Sequence, residues 1–200
     1  MSDDASTKPI RTGPTSTARI EHRELEVDGV RVHHFPSAET TTSATLVFGA
    51  GIRDETLPTL GTLHALEHLV MSTVRRTPID INGSVGLNTT DFTATGSPHL
   101  VAAFLEGVCR ALVDPPLDRI ATESKILDAE GGEGDGGPPL ALARYGWRDL
   151  GVVGGPGPGP RGIRADAIRE AAERWFVAGN AVLVIDGPWP EGLRLPLRPG

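Results

Sequence analysis

Clusters of glycine and proline limit which parts of this sequence can form regular structure. Residues 131–139 read GGEGDGGPP, residues 154–160 read GGPGPGP, and residues 187–200 have a similar composition. Such runs do not continue a helix or a strand, because glycine is conformationally free and proline lacks an amide hydrogen. The expected boundaries are a disordered N-terminal tail at residues 1–18, one domain at 19–187 and a Pro/Gly-rich C-terminal tail at 188–200.

The charge and length of the chain argue against several classes of protein. There are 26 Asp and Glu against 19 Lys and Arg, so the clustered positive charge that binds nucleic acid or anionic lipid is missing. Residues 1–18 contain no apolar segment typical of a signal peptide. The sequence also contains no run of about 18 apolar residues, the length that spans a membrane. The sequence therefore favours a cytoplasmic one-domain protein without a nucleic-acid or membrane partner.

The single cysteine, Cys109, excludes an internal disulfide and a thiolate zinc site. It lies in an apolar helical pattern, which predicts a buried structural thiol.

The order of hydrophobic patterns along the chain predicts the fold class. The predicted strands are residues 20–27, 30–35, 42–49, 86–95 and 180–185. The predicted helices are residues 62–74, 98–112, 118–130, 140–147 and 164–175. Asp28–Gly29 between the first two strands is typical of a type I′ hairpin turn. Strands followed by helices and one returning strand indicate an α+β fold, with an antiparallel or mixed sheet packed against helices.

The residues that carry most chemistry are His64, Glu67 and His68, within the first predicted helix. Positions i and i+4 share one helix face, so both imidazoles can reach one metal ion. Zinc lowers the pKa of a bound water molecule to about 7. Glu67, on the same face, can take a proton from that water and pass it to a leaving amine. The pattern supports zinc-dependent hydrolysis of peptide bonds, and the alternative is a solvent-exposed helix face.

A catalytic zinc site also needs a third protein ligand. Glu123 and Glu130 are seven residues apart in a predicted helix, so they project from one face, and either of them could be that ligand. Glutamates with this spacing are also common on exposed helices, and Glu133 is a weaker candidate beyond two glycines. The remaining histidines are more typical of surface or interface side chains than of ligands; they are His22, His33, His34 and His99.

With this motif the sequence resembles the M16 metallopeptidases, the family of pitrilysin, insulin-degrading enzyme and mitochondrial processing peptidase. His-x-x-Glu-His reverses the thermolysin order. The resemblance extends to residues 49–55 (GAGIRDE) before the helix and to residues 83–88 (GSVGLN) with the Thr-rich run after them. Glycines from Tyr145 to Gly155 and the strand at 180–187 fit the family as well. The resemblance implies a single M16-like (LuxS/MPP-like) domain.

The resemblance also implies roles for individual residues. Extended peptides would add to an exposed sheet edge. The implied zinc ligands are His64, His68 and Glu130, the general base is Glu67, the residue supporting a ligand is Glu123, and the substrate-binding residues are Asn88, Thr89 and Thr90.

Three departures from the family pattern shape the functional hypothesis. The separation of His68 from Glu130 is shorter than usual, Gly131 and Gly132 end the ligand helix early, and family members carry two such domains per subunit. We therefore expect a second M16-like chain, or another copy of this one, to complete the cleft of a zinc peptidase acting on extended peptides. The alternatives are a non-catalytic M16-like subunit that binds peptide or scaffolds an active partner, and a truncated remnant.

Overall fold

The computed structural model describes residues 21–74, 77–130, 139–153, 159 and 162–200. The strands are β1 (Arg23–Val27), β2 (Val30–Phe35), β3 (Thr42–Phe48), β4 (Asp80–Val85), β5 (Thr90–Gly96) and β6 (Ala181–Asp186). The helices are α1 (Thr62–Val74), α2 (Pro98–Val113), α3 (Ile120–Glu130), α4 (Pro139–Tyr145) and α5 (Ala165–Trp175). Within these residues, no helix is both long and apolar enough to cross a membrane.

The strands form one mixed sheet in the order β1-β2-β6-β3-β5-β4. Strands β2 and β6 are parallel, and the other neighbouring pairs are antiparallel. The returning strand β6 lies between β2 and β3, so residues far apart in sequence meet at the centre of the sheet. This arrangement confirms the predicted α+β class and leaves β1 and β4 as the edge strands among the described residues.

The first hairpin forms as its sequence predicts. Asp28 has φ 50° and Gly29 has φ 83°, the left-handed conformation that both central residues of a type I′ turn require.

The core lies between one face of the sheet and the helices. Alternate residues of the inner strands are buried, which is the period of two expected for a sheet covered on one side. Helix α2 packs on β3 and β5, and α1 packs on β4, α2, α3 and α5. Cys109 of α2 is buried as predicted, and burial raises the pKa of its thiol to about 12. Its role is therefore packing.

The chain between α1 and α2 differs from the prediction of one strand at residues 86–95. The structure contains two strands there, β4 and β5, joined by a turn in which the amide of Gly86 donates to the carbonyl of Thr89 at 2.8 Å. The Thr-rich pattern belongs to the inner strand β5. Asp80, Asn82 and Ser84 of the edge strand β4 are polar and exposed. The strand therefore has too few apolar residues to be recognised from the sequence pattern.

Residues 188–200, predicted to be a tail, instead pack on the domain. Leu193 and Leu195 are buried. The Asp28 carboxylate accepts hydrogen bonds from the Arg194 guanidinium and the Leu195 amide, both at 2.8 Å. The segment contains too many prolines for regular structure, yet its leucines bury apolar surface and its backbone meets residues 177–179. The proline and glycine content of residues 188–200 agrees with their irregular structure, and the buried leucines attach this segment to the domain.

The other predicted loops and tails lie mostly outside the described residues, which exclude 1–20, 131–138 and 154–158. Glu133 is among them. His34 corrects the expectation of a surface histidine: it is buried, and its Nε2 lies 2.9 Å from the Gly187 carbonyl oxygen. Its place on the inward face of β2 explains the burial.

Candidate metal centre

Helix α1 is held in place by a buried face and by a carboxylate at its start. Leu63, Leu66 and Leu69 are almost fully buried, which fixes the rotation of the helix. The buried Glu55 accepts hydrogen bonds from the amides of Gly61 at 3.0 Å and Leu63 at 2.8 Å. These amides have no partner within the helix, so Glu55 satisfies them from outside. Burial raises the pKa of this carboxyl group, and the backbone hydrogen bonds act against that rise.

The polar side chains of α1 converge as the spacing predicts. His64, Glu67 and His68 each offer one possible ligand atom, and these three atoms lie within 4.8 Å of one another. The two imidazole rings are 4.9 Å apart between centroids and are inclined by 74°. Glu67 and His68 are buried, whereas His64 is exposed. The site therefore has a buried floor and a side open to solvent.

Helix α3 brings both predicted glutamates to the same histidine. Glu130 Oε2 lies 3.1 Å from His68 Nε2, and Glu123 Oε2 lies 3.7 Å from His68 Nδ1. Glu123 is buried with 1% of its side chain exposed, while Glu130, at the helix end, is 51% exposed. The seven-residue spacing thus places the two carboxylates at opposite nitrogens of one imidazole.

The Nε2 side of His68 has the dimensions of a zinc site. Besides Glu130 Oε2, it faces Glu67 Oε2 at 3.8 Å. Ligand atoms about 2.1 Å from a tetrahedral zinc ion are about 3.4 Å from one another. Among the described residues, the buried His68 Nδ1 has no hydrogen-bond partner, and its nearest carboxylate is Glu123. Two imidazoles and a carboxylate are a zinc donor set, which matches the chemistry of the predicted ligands His64, His68 and Glu130. The group whose ligand atoms all lie within 4.8 Å of one another is His64, Glu67 and His68, and Glu130 adjoins it through His68.

The surroundings of His64 lower the pKa of its imidazole and so favour the neutral form. Although the residue is exposed overall, the protein removes part of the water around its imidazole, which lowers the pKa of that group. Repulsion from His68 lowers the pKa further, while the Glu130 carboxylate raises it. A neutral imidazole is the form that coordinates metal.

Edge strand β4 runs directly beside Glu67. A β-carbon built on Gly83 would lie 2.3 Å from Glu67 Oε1 and 3.0 Å from its carboxyl carbon. A side chain at this position would therefore require the Glu67 carboxylate to move from where it lies. The sequence interpretation missed this role of Gly83, although an isolated glycine in a strand is a known sign of close approach by another group.

The predicted substrate-binding residues lie next to the edge strand and not in it. Asn88 and Thr89 are exposed in the turn after β4. Thr90 is buried at the start of β5, where its hydroxyl donates to the Ala50 carbonyl at 2.9 Å. That turn is attached to the loop before α1, because Ile52 donates to the Gly86 carbonyl at 3.1 Å. The backbone of β4, by contrast, forms an edge of the sheet among the described residues.

Comparisons with known proteins identify the fold. No protein-family model matches the sequence, and a comparison with curated proteins finds no significant match. Among solved structures, a protease from Helicobacter pylori aligns with a TM-score of 0.68 and 17% identity over 90% of this chain and 51% of its own. An M16-like peptidase from Alicyclobacillus acidocaldarius aligns with a TM-score of 0.65 and 19% identity over 84% of this chain and 46% of its own.

A chain of complex III2 from Candida albicans has the same fold, with a TM-score of 0.64 and 16% identity over 90% of this chain and 48% of its own. The present chain thus spans about half the length of these three relatives. Its topology, together with these alignments, shows that the chain has the fold of an M16-type peptidase domain.

Proposed function

We propose that this chain is a zinc-dependent endopeptidase that hydrolyses extended peptides, with a partner chain completing its cleft. The observation that carries the proposal is the convergence of Glu67 and Glu130 on the Nε2 side of His68, with His64 one turn away. His64, His68 and Glu130 would hold the ion. A zinc ion there would polarise a peptide carbonyl and acidify a water molecule.

The remaining chemistry belongs to Glu67. Its carboxylate would accept a proton from the attacking water and deliver it to the amine that leaves. Gly83 leaves room for this carboxylate next to β4, so the general base lies against the strand that would receive substrate. A peptide paired with the edge of β4 would therefore run past Glu67, and main-chain hydrogen bonds would hold it without regard to most side chains.

The open side of the site supports the need for a partner. His64 is exposed and Glu130 is 51% exposed, although catalysis of this kind benefits from a site with restricted water. The chain also spans 51% and 46% of the length of two of the structures that it matches and 24% of each of two others. We propose a second M16-like chain, or a second copy of this one, as the missing wall.

A non-catalytic subunit that binds peptide is the second candidate. A chain of complex III2 has the same fold, so this fold also occurs as a component of a larger complex, which favours this candidate. The complete set of His64, Glu67, His68 and Glu130 favours the enzyme, because a scaffold needs none of them.

Peptide cleavage by the full chain, alone and mixed with candidate partner chains, separates the two candidates. An enzyme would cleave an unfolded peptide with zinc and would lose this activity in Glu67→Gln, while peptide binding persists. A scaffold would bind the peptide equally in both variants, and no cleavage would depend on Glu67.

A further inference from the structure

An ion pair between Arg119 and Glu123 lies next to the candidate metal site, on the Nδ1 side of His68. Arg119, in the 3-10 turn Leu117–Arg119 just before α3, donates from Nη2 to Glu123 Oε1 at 2.9 Å. Arg119 is 44% exposed, but the Glu123 carboxylate is 1% exposed. A carboxylate so deeply buried is costly in its charged form unless a cation or hydrogen bonds accompany it.

The two carboxylate oxygens of Glu123 face two different neighbours, Arg119 and His68. Oε1 is fixed by Arg119, and Oε2 is directed toward His68 Nδ1 at 3.7 Å. That distance exceeds a hydrogen bond, yet a small side-chain movement would close it. Histidines that bind metal usually donate their second ring N–H to a carboxylate or carbonyl, which fixes the tautomer and the ring orientation.

The direction of the ion pair argues against a purely structural role. A cation at the start of a helix opposes the helix dipole, and Arg before Glu is the less favourable order for an i,i+4 pair. The Glu106–Arg110 pair on α2 has the same spacing in the favourable order and is exposed. Helix stability therefore explains Arg110 better than Arg119.

We propose that Arg119 is a positioning residue of the zinc site. It holds Glu123 so that Oε2 faces His68 Nδ1, and His68 then presents the lone pair of Nε2 toward Glu67 and Glu130. Its positive charge also offsets one of the three carboxylates that surround this histidine. This inference rests on the proposed function, since it assumes that His68 is a zinc ligand.

Zinc affinity of the full chain, measured by competition with a chromophoric chelator, tests the proposal without any activity assay. Arg119→Met should weaken zinc binding about tenfold, the lower end of the effect of removing an outer partner of a metal ligand. Arg119→Lys should restore part of the affinity, and the control Arg110→Met should leave it unchanged. In the Glu123→Gln background, Arg119→Met should have no further effect, because Arg119 acts through Glu123.

The proposal is overturned if Arg119→Met binds zinc as tightly as the native chain, whether or not its thermal unfolding midpoint falls. It is also overturned if the weakening persists in full in the Glu123→Gln background. Failure of the proposed function looks different, because the native chain itself would then bind no zinc, and the role of Arg119 would fall with it.

Discussion

Gly83 and Glu67 lie so close together that the glycine, which has no β-carbon, leaves just enough space for the Glu67 carboxylate. A β-carbon on Gly83 would lie 2.3 Å from Glu67 Oε1. The edge strand and the Glu67 carboxylate are therefore in close contact. Strand β4, which would bind a peptide in the proposed function, therefore also limits where the Glu67 carboxylate can lie.

Replacing Gly83 by alanine should damage catalysis while preserving the metal. The added methyl group would push the Glu67 carboxylate away, so kcat should fall about 100-fold, within the usual contribution of a general base. The native zinc content should remain, since Glu67 is not one of the proposed ligands. Steady-state kinetics with elemental analysis would check both. Gly86→Ala is the control, because its β-carbon would meet the Thr89 carbonyl oxygen at 3.3 Å, away from Glu67; equal activity of the two variants would contradict this account.

The two glutamates of α3 should differ in their effect on zinc. Glu130→Gln removes a proposed ligand and should weaken zinc binding more than about 100-fold, whereas Glu123→Gln removes an outer partner and should cost about 10- to 100-fold. Asp128→Asn, an exposed change on the same helix, should have little effect. Chelator competition measures all three. A larger loss in Glu123→Gln than in Glu130→Gln would reverse the assignment.

Glu55 should matter for the stability of α1 and not for its chemistry. Glu55→Ala leaves the part-buried amide of Gly61 and the buried amide of Leu63 without an acceptor, which should lower the free energy of unfolding by about 2 kcal/mol. The exposed Glu39→Ala should change it by less than about 0.5 kcal/mol. Urea denaturation would compare them, and equal midpoints would show that Glu55 does not fix the start of the helix.

Asp28 should make the attachment of residues 188–200 sensitive to acid. The hydrogen bond from Arg194 and then that from Leu195 hold the pKa of its carboxyl group below the usual 3.8. The folded state thus prefers the ionised form, so the stabilisation is present above about pH 4 and is lost as the pH falls through the lowered value. Asp28→Asn should be less stable than the native chain at pH 7, and the difference should shrink on acidification. Thermal unfolding at several pH values measures it; a constant difference would contradict the assignment.

Much of this fold could be predicted because local signals agreed with the final packing. The Asp28–Gly29 turn, the apolar face of α1 and the His64–Glu67–His68 spacing all depend on neighbours within one turn or hairpin. The seven-residue spacing of Glu123 and Glu130 predicts that either could be the third ligand, and the family resemblance chooses Glu130. No local pattern specifies how α3 packs on α1, so the contact of both with His68 needed the structure.

Other features depend on contacts between distant segments and carried little local signal. The closeness of Gly83 to Glu67 arises only when β4 packs on α1. The segment with the buried Leu193 and Leu195 is hydrogen-bonded to Asp28, more than 160 residues earlier in the chain. Arg119 did have a signal, its i,i+4 spacing to Glu123, but exposed pairs of this kind are too common to single it out.

Zinc content, measured by elemental analysis of the purified native chain and two variants, tests the central claim most directly. The account predicts about one zinc ion per native chain, loss of zinc in His64→Ala, and retention in Glu67→Gln, because it assigns His64 as a ligand and Glu67 as the base. A native chain that holds no zinc even when the ion is supplied would contradict the account and leave a non-catalytic subunit as the better description.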